Sequence, residues 1–393
     1  MICIMAVSAV SAIMASARGD SVAAWYSCPL GWRVGVEANP AWVAPTNKFL
    51  RGVNRDSKPV DMNFSGSLRA DFRFAPDSKE GLLYKGLYQG VGVGVNTFFD
   101  GSLLGTPAAA YIFQGAPVIR FSRRLWLGYE WRFGAALGWN HYHKDEMYPN
   151  LSVSTNVTAM LGLGLKLNYE LSDRWQVSAG VNATHYSNGN TSLPNSGINT
   201  VGATVGMAYA FDSRSKEKEA ETPTRLTEEA DRGRWLYDIM AYGAWRRHTV
   251  TVEESPQLCP GRFGIVGLQF MPLRKFNRWF AAGPSLDFQW DEGAGLEPYW
   301  IPGTSGDGIL FSRPPFGKQI SAGVSAHAEL TMPIFTVDAG VGYDFVSPHG
   351  ARRFYQSLAL KTFLTRHLYL NVGYRLGNFK DPQNLMLGVG VRL

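Results

Sequence analysis

The sequence predicts an all-β fold: a transmembrane antiparallel β-barrel, in two tandem eight-stranded copies, with one barrel of about sixteen strands as the alternative. Three observations predict it. Beyond the first twenty residues no apolar stretch is long enough for a membrane helix, so a membrane would be crossed by strands. Segments of ten or more residues alternate apolar and polar side chains along most of the chain. A charge-mixed run over 212–235 interrupts that alternation near the middle, and the segments on its two sides end alike.

The chain opens on an apolar run followed by Ala15-Ser16-Ala17, the small-x-small pattern of a cleavage site, so 1–17 reads as a signal peptide. The first barrel is assigned to 25–211. In Met62 to Phe74, Met62, Phe64, Leu68, Ala70, Phe72 and Phe74 share one face, opposite Asn63, Ser65, Ser67, Arg69, Asp71 and Arg73. Leu125, Leu127, Tyr129, Trp131, Phe133, Leu137 and Trp139 form the next clear face, against Glu130, Arg132 and several glycines. Val157 to Leu171 repeats the pattern, with Lys166, Asn168 and Glu170 on the polar side.

A soluble β-sandwich also alternates. Here, however, the polar face carries glycines and opposite charges, while the apolar face ends in aromatics, as a barrel with lipid outside requires. Arg33, Glu37, Arg69, Asp71, Arg73, Glu130, Arg132, Lys166 and Glu170 then point inward and neutralise one another, which predicts a sealed barrel and makes a general porin the weak reading. Tight turns at Ser122–Arg124 and Ser172–Arg174 belong on the periplasmic side, and longer loops at 44–61, 140–154 and 188–196 outside.

Residues 212–235 read as a solvated linker. Alternation resumes over 236–393, with Val337, Ala339, Val341, Tyr343 and Phe345 on one face and Leu385, Leu387, Val389, Val391 and Leu393 closing the chain. The net charge of +6 is mild and unclustered, which does not suggest nucleic acid. Three cysteines make no disulfide framework: Cys3 leaves with the signal, and the barrel reading puts Cys28 and Cys259 on opposite membrane sides.

The seventh strand carries the chemistry. Trp175, Val177, Ala179, Val181 and Ala183 face lipid, and the same register next places His185 and Ser187 there. Polar groups on a lipid face need a reason. Residues i and i+2 lie roughly 7 Å apart along a strand, so the imidazole can take the hydroxyl proton. The returning strand brings Asn199 to the far nitrogen of His185, and the turn at Asn188-Gly189 offers amides to an oxyanion. The alternative is that His185 and Ser187 merely end a strand at headgroup level. WNHYHKDE (His141, His143, Asp145, Glu146) lacks a closed ligand set and reads as a loop, so no metal or organic cofactor is expected. Ser347-Pro348-His349 is assigned no chemistry.

His185-Tyr186-Ser187-Asn188-Gly189, then Pro194-Asn195-Ser196-Gly197 and an alternating strand to Tyr209-Ala210-Phe211, resembles the lipid A 3-O-deacylase (PagL-like acyloxyacyl hydrolase) family. The motif match covers about thirty residues. The resemblance implies an eight-stranded outer-membrane barrel that hydrolyses an acyl ester of lipid A with a Ser-His-Glu triad. It implies Ser187 as nucleophile and His185 as general base, with Asn188, Asn195 and Gly197 shaping the site or its oxyanion hole. Where the family has its acid this chain has Asn199, which can orient an imidazole but stabilises an imidazolium less, so activity is expected to be reduced. The expected partners are lipopolysaccharide and outer-membrane lipids, and a homodimer is left open. The rival reading is a structural or adhesion barrel with a degenerate site, favoured by Asn199 and by the absence of the motif from the second half.

Overall fold

In the computed structural model the described residues are 30–74, 81, 86–143, 146–211, 233–247, 249–252, 255–259, 261–299, 310–332, 334–348, 350–379 and 381–393. The signal segment, Cys28, Asp145, His349 and most of the linker lie outside them. The chain divides into two compact units, one within Cys28–Pro223 and the other within Thr224–Leu393.

Strict two-residue alternation lets each strand show apolar side chains to one side and polar ones to the other, and closing the sheet removes its edges. The first unit does this with β1 (Leu30–Val43), β2 (Met62–Phe74), β3 (Tyr88–Thr97), β4 (Gly105–Arg120), β5 (Leu125–Trp139), β6 (Val157–Glu170), β7 (Trp175–Ser187) and β8 (Ile198–Ala210). Each pairs antiparallel with the next, and β8 returns to β1 to close an eight-stranded barrel. The second unit contains β9 (Trp235–Arg246), a hairpin of β10 (Thr249–Val252) and β11 (Ser255–Leu258), β12 (Phe263–Lys275), β13 (Phe280–Asp291), a short ribbon of β14 (Glu297–Tyr299) and β15 (Leu310–Ser312), then β16 (Ile320–Thr331), β17 (Phe335–Val346), β18 (Phe354–Phe363), β19 (Leu368–Gly377) and β20 (Asp381–Arg392). Eight of these, β9, β12, β13 and β16 to β20, close a second barrel. The tandem reading therefore holds and the single sixteen-stranded barrel does not.

The outer faces are apolar: Leu68, Leu163, Val181 and Val201 in the first barrel and Val266 and Leu358 in the second are more than half exposed. Near the tight turns the first barrel carries aromatics, with Trp175 against Tyr209 and Tyr209 against Phe211 at 5.0 and 5.7 Å. Rings in that position suit a membrane–water boundary.

Each lumen is closed by charge. In the first, Lys166 Nζ lies 2.5 Å from Glu37 and 2.7 Å from Glu130. Arg69 and Arg132 pair with both carboxylates, and Arg33 with Asp71. The second barrel inverts the ratio: Asp238, Glu329 and Asp338 surround Lys361, with Arg392 on Asp238 and Glu329. Such clusters are held by mutual pairing in a lumen that excludes bulk water.

Two expectations need correction. Trp139 does not face lipid: Gly138 adopts φ +96°, which breaks the two-residue rhythm, and the indole turns inward to donate from Nε1 to Thr158 Oγ1 at 3.0 Å. Trp235, assigned to the linker, already belongs to β9, where it pairs with Arg274.

The long-loop end of the first barrel is capped by its own connections. Phe49, Leu50 and Val60 of the β1–β2 loop, Leu103 and Leu104 before β4, and Val153 before β6 bury against Trp139, Tyr186 and Ile198. This cap holds the loops that flank the tip of β7.

Candidate active site

The tip of β7 continues the lipid-facing register. His185 pairs across the sheet with Leu161 of β6 and Asn199 of β8, and Ser187 with Ala159. Leu161 and Leu163 on that side are exposed, while His185, Ser187 and Asn199 are half-buried. Tyr186, between them in sequence, points the other way and is buried, its hydroxyl donating to Asn96 at 3.0 Å.

His185 Nδ1 lies 2.7 Å from Asn199 Oδ1. A carbonyl oxygen only accepts, so Nδ1 carries the proton and Nε2 is left with its lone pair, the tautomer a general base needs. Ser187 Oγ accepts from the Gly189 N–H at 3.0 Å and from Asn195 Nδ2 at 3.3 Å. Among the described residues there is no hydrogen bond between the imidazole and the Ser187 hydroxyl. The serine is thus held by donors, and the histidine by its orienting amide.

The expected oxyanion residues divide by role. Gly189 and Asn195 aim donors at Ser187. The Asn188 side chain does not: it donates to Ser154 Oγ at 3.0 Å and to Ser192 O at 2.9 Å, holding the loop closed. Its backbone N–H donates to Asn195 Oδ1 at 3.2 Å and so turns the Asn195 NH2 toward Ser187. Gly197 has φ +68°, and a Cβ there would meet His185 Cε1 at 2.9 Å and Tyr186 O at 3.0 Å. Only glycine suits both the left-handed backbone and the imidazole's place.

The loop bearing Asn195 is fixed from outside. Asn47 donates to Ser196 Oγ at 2.6 Å and Ser152 Oγ at 2.9 Å, and the Gly197 N–H donates to Ser152 O at 3.0 Å. These links come from loops distant in sequence, and no local spacing signals them.

A Ser-x-His pair that the sequence reading passed over lies in the second barrel. His327 of β16 sets Nδ1 2.7 Å from Asp338 and Nε2 3.0 Å from Ser325 Oγ, the order of a hydrolytic triad. The hydroxyl, however, has one proton, and Ser325 donates it to Asp287 at 2.5 Å. Asp287 also accepts from Gln269, Ser285 and Tyr355. His327 Nε2 must therefore donate to Ser325, the reverse of base catalysis, and all three groups are buried in the lumen. The cluster reads as packing. The His141 and His143 rings lie 4.7 Å apart, tilted by 41°, and no cluster of three metal-ligating side chains exists among the described residues.

Residues 30–208 match the family model described as lipid A 3-O-deacylase (PagL). Residues 235–393 match the model described as acyloxyacyl hydrolase, C-terminal domain. The chain belongs to the lipid A deacylase family. As a member of this hydrolase family with two closed, apolar-faced barrels, it is an outer-membrane protein. The two models together span both barrels, so the second, without the His-x-Ser motif, is itself a family domain.

No curated protein matches the chain. Solved structures that it resembles include the siderophore receptor PirA of Acinetobacter baumannii, with 8% identity, 89% of this chain and 68% of that one covered, and a TM-score of 0.22. The β domain of the Bordetella autotransporter BrkA gives 10% identity, 92% and 97% coverage, and 0.24. A Rhodopseudomonas blastica porin mutant gives 9%, 93% and 100%, and 0.15.

Proposed function

We propose that this protein is an outer-membrane serine esterase that removes an ester-linked acyl chain from lipid A of lipopolysaccharide. The observation that carries the reading is the pairing of His185 Nδ1 with Asn199 Oδ1 at 2.7 Å, on the same lipid-facing side as a donor-held Ser187 Oγ. A site on the barrel wall meets a lipid substrate laterally, with the acyl chain along the outer face of β6 to β8.

Ser187 Oγ attacks the ester carbonyl carbon as its proton passes to His185 Nε2. The carbonyl oxygen becomes an oxyanion and accepts from the Gly189 N–H and Asn195 Nδ2. Collapse expels the sugar alkoxide, which takes the proton from His185, and leaves Ser187 acylated. Water then attacks the acyl-serine, again giving a proton to His185. The fatty acid leaves and the proton returns to Ser187 Oγ. Asn199 orients the ring throughout but adds no negative charge to balance the imidazolium, so turnover runs below that of a carboxylate-bearing site.

A fluorophosphonate probe tests the nucleophile directly. The folded protein is expected to gain a covalent adduct on the peptide containing Ser187, and Ser187→Ala protein is expected to gain none. Absence of labelling in folded wild-type protein would support the rival reading, a structural barrel with a degenerate site.

A further inference from the structure

The β1–β2 loop joins a rigid interior to a cationic exterior. Phe49, Leu50 and Val60 anchor it in the cap, and buried Asn54 ties it internally by donating to Phe49 O at 3.0 Å and Lys58 O at 2.7 Å. Asn47 Oδ1 accepts from the Leu50 N–H at 3.0 Å. Outward from this frame stand Lys48, Arg51, Arg55 and Lys58, all exposed. The Lys48 and Lys58 side chains make no hydrogen bond or ion pair among the described residues. Arg51 donates only to Pro45 O, at 3.0 Å, and Arg55 pairs loosely with Asp56 at 3.5 Å.

The other connections at this end do not share that charge. The site loop 188–197 has no charged residue, the stretch 98–104 has only Asp100, and 140–156 has Lys144 against Asp145 and Glu146. Asp100 accepts from the Ser102 N–H at 2.9 Å and the Ser102 hydroxyl at 2.5 Å, and Asp56 faces Arg55 at 3.5 Å. The cationic loop also touches the site: Asn47 donates to Ser196, Thr46 Oγ1 to Gly197 O at 3.4 Å, and the Ala44 N–H to Asn199 O at 2.9 Å.

We infer that the β1–β2 loop is a headgroup platform, in which Lys48, Arg51, Arg55 and Lys58 bind phosphate groups of the glycolipid whose acyl ester lies at Ser187. The inference rests on the esterase reading and adds the substrate's charge to it. Cations fixed on an ordered loop meet a phosphate with little conformational loss, and arginine offers paired donors to its oxygens. Acyl chains lie against β6 to β8 below the site while the phosphorylated sugar rests on the loop above it. The loop thereby selects anionic over neutral lipids and places the ester carbonyl.

The test uses full-length protein in neutral detergent and the variant K48Q/R51Q/R55Q/K58Q. Substrates are a phosphorylated glycolipid, its dephosphorylated form and a neutral p-nitrophenyl ester. The variant is expected to raise KM for the phosphorylated lipid about 10-fold or more, with kcat unchanged and the other two substrates unaffected. Added salt should raise the wild-type KM and leave the variant's alone. A control that removes two positive charges at the tight-turn end, R123Q/R124Q, should leave every value in place. An unchanged KM, or an equal rise on all three substrates, overturns the inference. So does inhibition of the wild type by millimolar inorganic phosphate on all three substrates alike, beyond that of sodium chloride at equal ionic strength, because the loop would then be a free-phosphate site. If no ester is hydrolysed by any form, the esterase reading fails first. Binding of fluorescently labelled phosphorylated glycolipid to Ser187→Ala protein then reports on the loop alone: weaker binding by the four-glutamine variant upholds it, and equal binding overturns it.

Discussion

An Asn199→Glu variant is expected to hydrolyse its lipid ester faster than the natural chain, by about 10- to 100-fold in kcat with KM little changed. The reason is electrostatic. During attack His185 becomes an imidazolium, and the group 2.7 Å from its Nδ1 is a neutral amide. A carboxylate there keeps the same hydrogen bond and tautomer and also balances the new charge, which acts only in the transition state. Asn199 is half-buried on the outer wall beside exposed Val201, so the added methylene has room on the lipid side. Kinetics on purified, folded protein decide it. Equal or lower kcat would mean that the imidazole does not carry positive charge in the rate-limiting step.

The second large effect lies in the first lumen. Glu37→Leu is expected to destabilise the first barrel by about 3–5 kcal/mol, read from urea unfolding in detergent micelles. Glu37 is buried and pairs with Arg69, Arg132 and Lys166. Its loss leaves those three cations on Glu130 alone in a space with little water. Lys166→Met added to Glu37→Leu should recover part of the loss, since the double change removes one charge of each sign. A destabilisation below about 1 kcal/mol, with no recovery, would mean that water in the lumen screens the cluster.

Much of this was legible in the sequence, for one physical reason: a strand repeats every two residues, so His185 and Ser187 inherit the outward direction of Val181 and Ala183. The same rule placed Asn199 opposite His185 and turned Glu37, Glu130 and Lys166 inward. The charged run before Trp235 separated the barrels because no membrane strand tolerates it. Trp139 failed because the rhythm is lost where Gly138 takes a positive φ. Asn188 was grouped with the oxyanion donors because the motif does not show where an amide points. Its commitment to Ser154 depends on a loop 34 residues away. Asn47 was invisible for the same reason, since its partners Ser152 and Ser196 are brought to it only by packing of the cap.

The most direct measurement is the mass spectrum of lipid A from outer membranes that contain either the natural chain or Ser187→Ala protein at equal folded abundance. A lipid wall site with a working hydroxyl predicts loss of one ester-linked acyl chain in the first and intact lipid A in the second. Identical spectra from the two, whether both shortened or both intact, would contradict it.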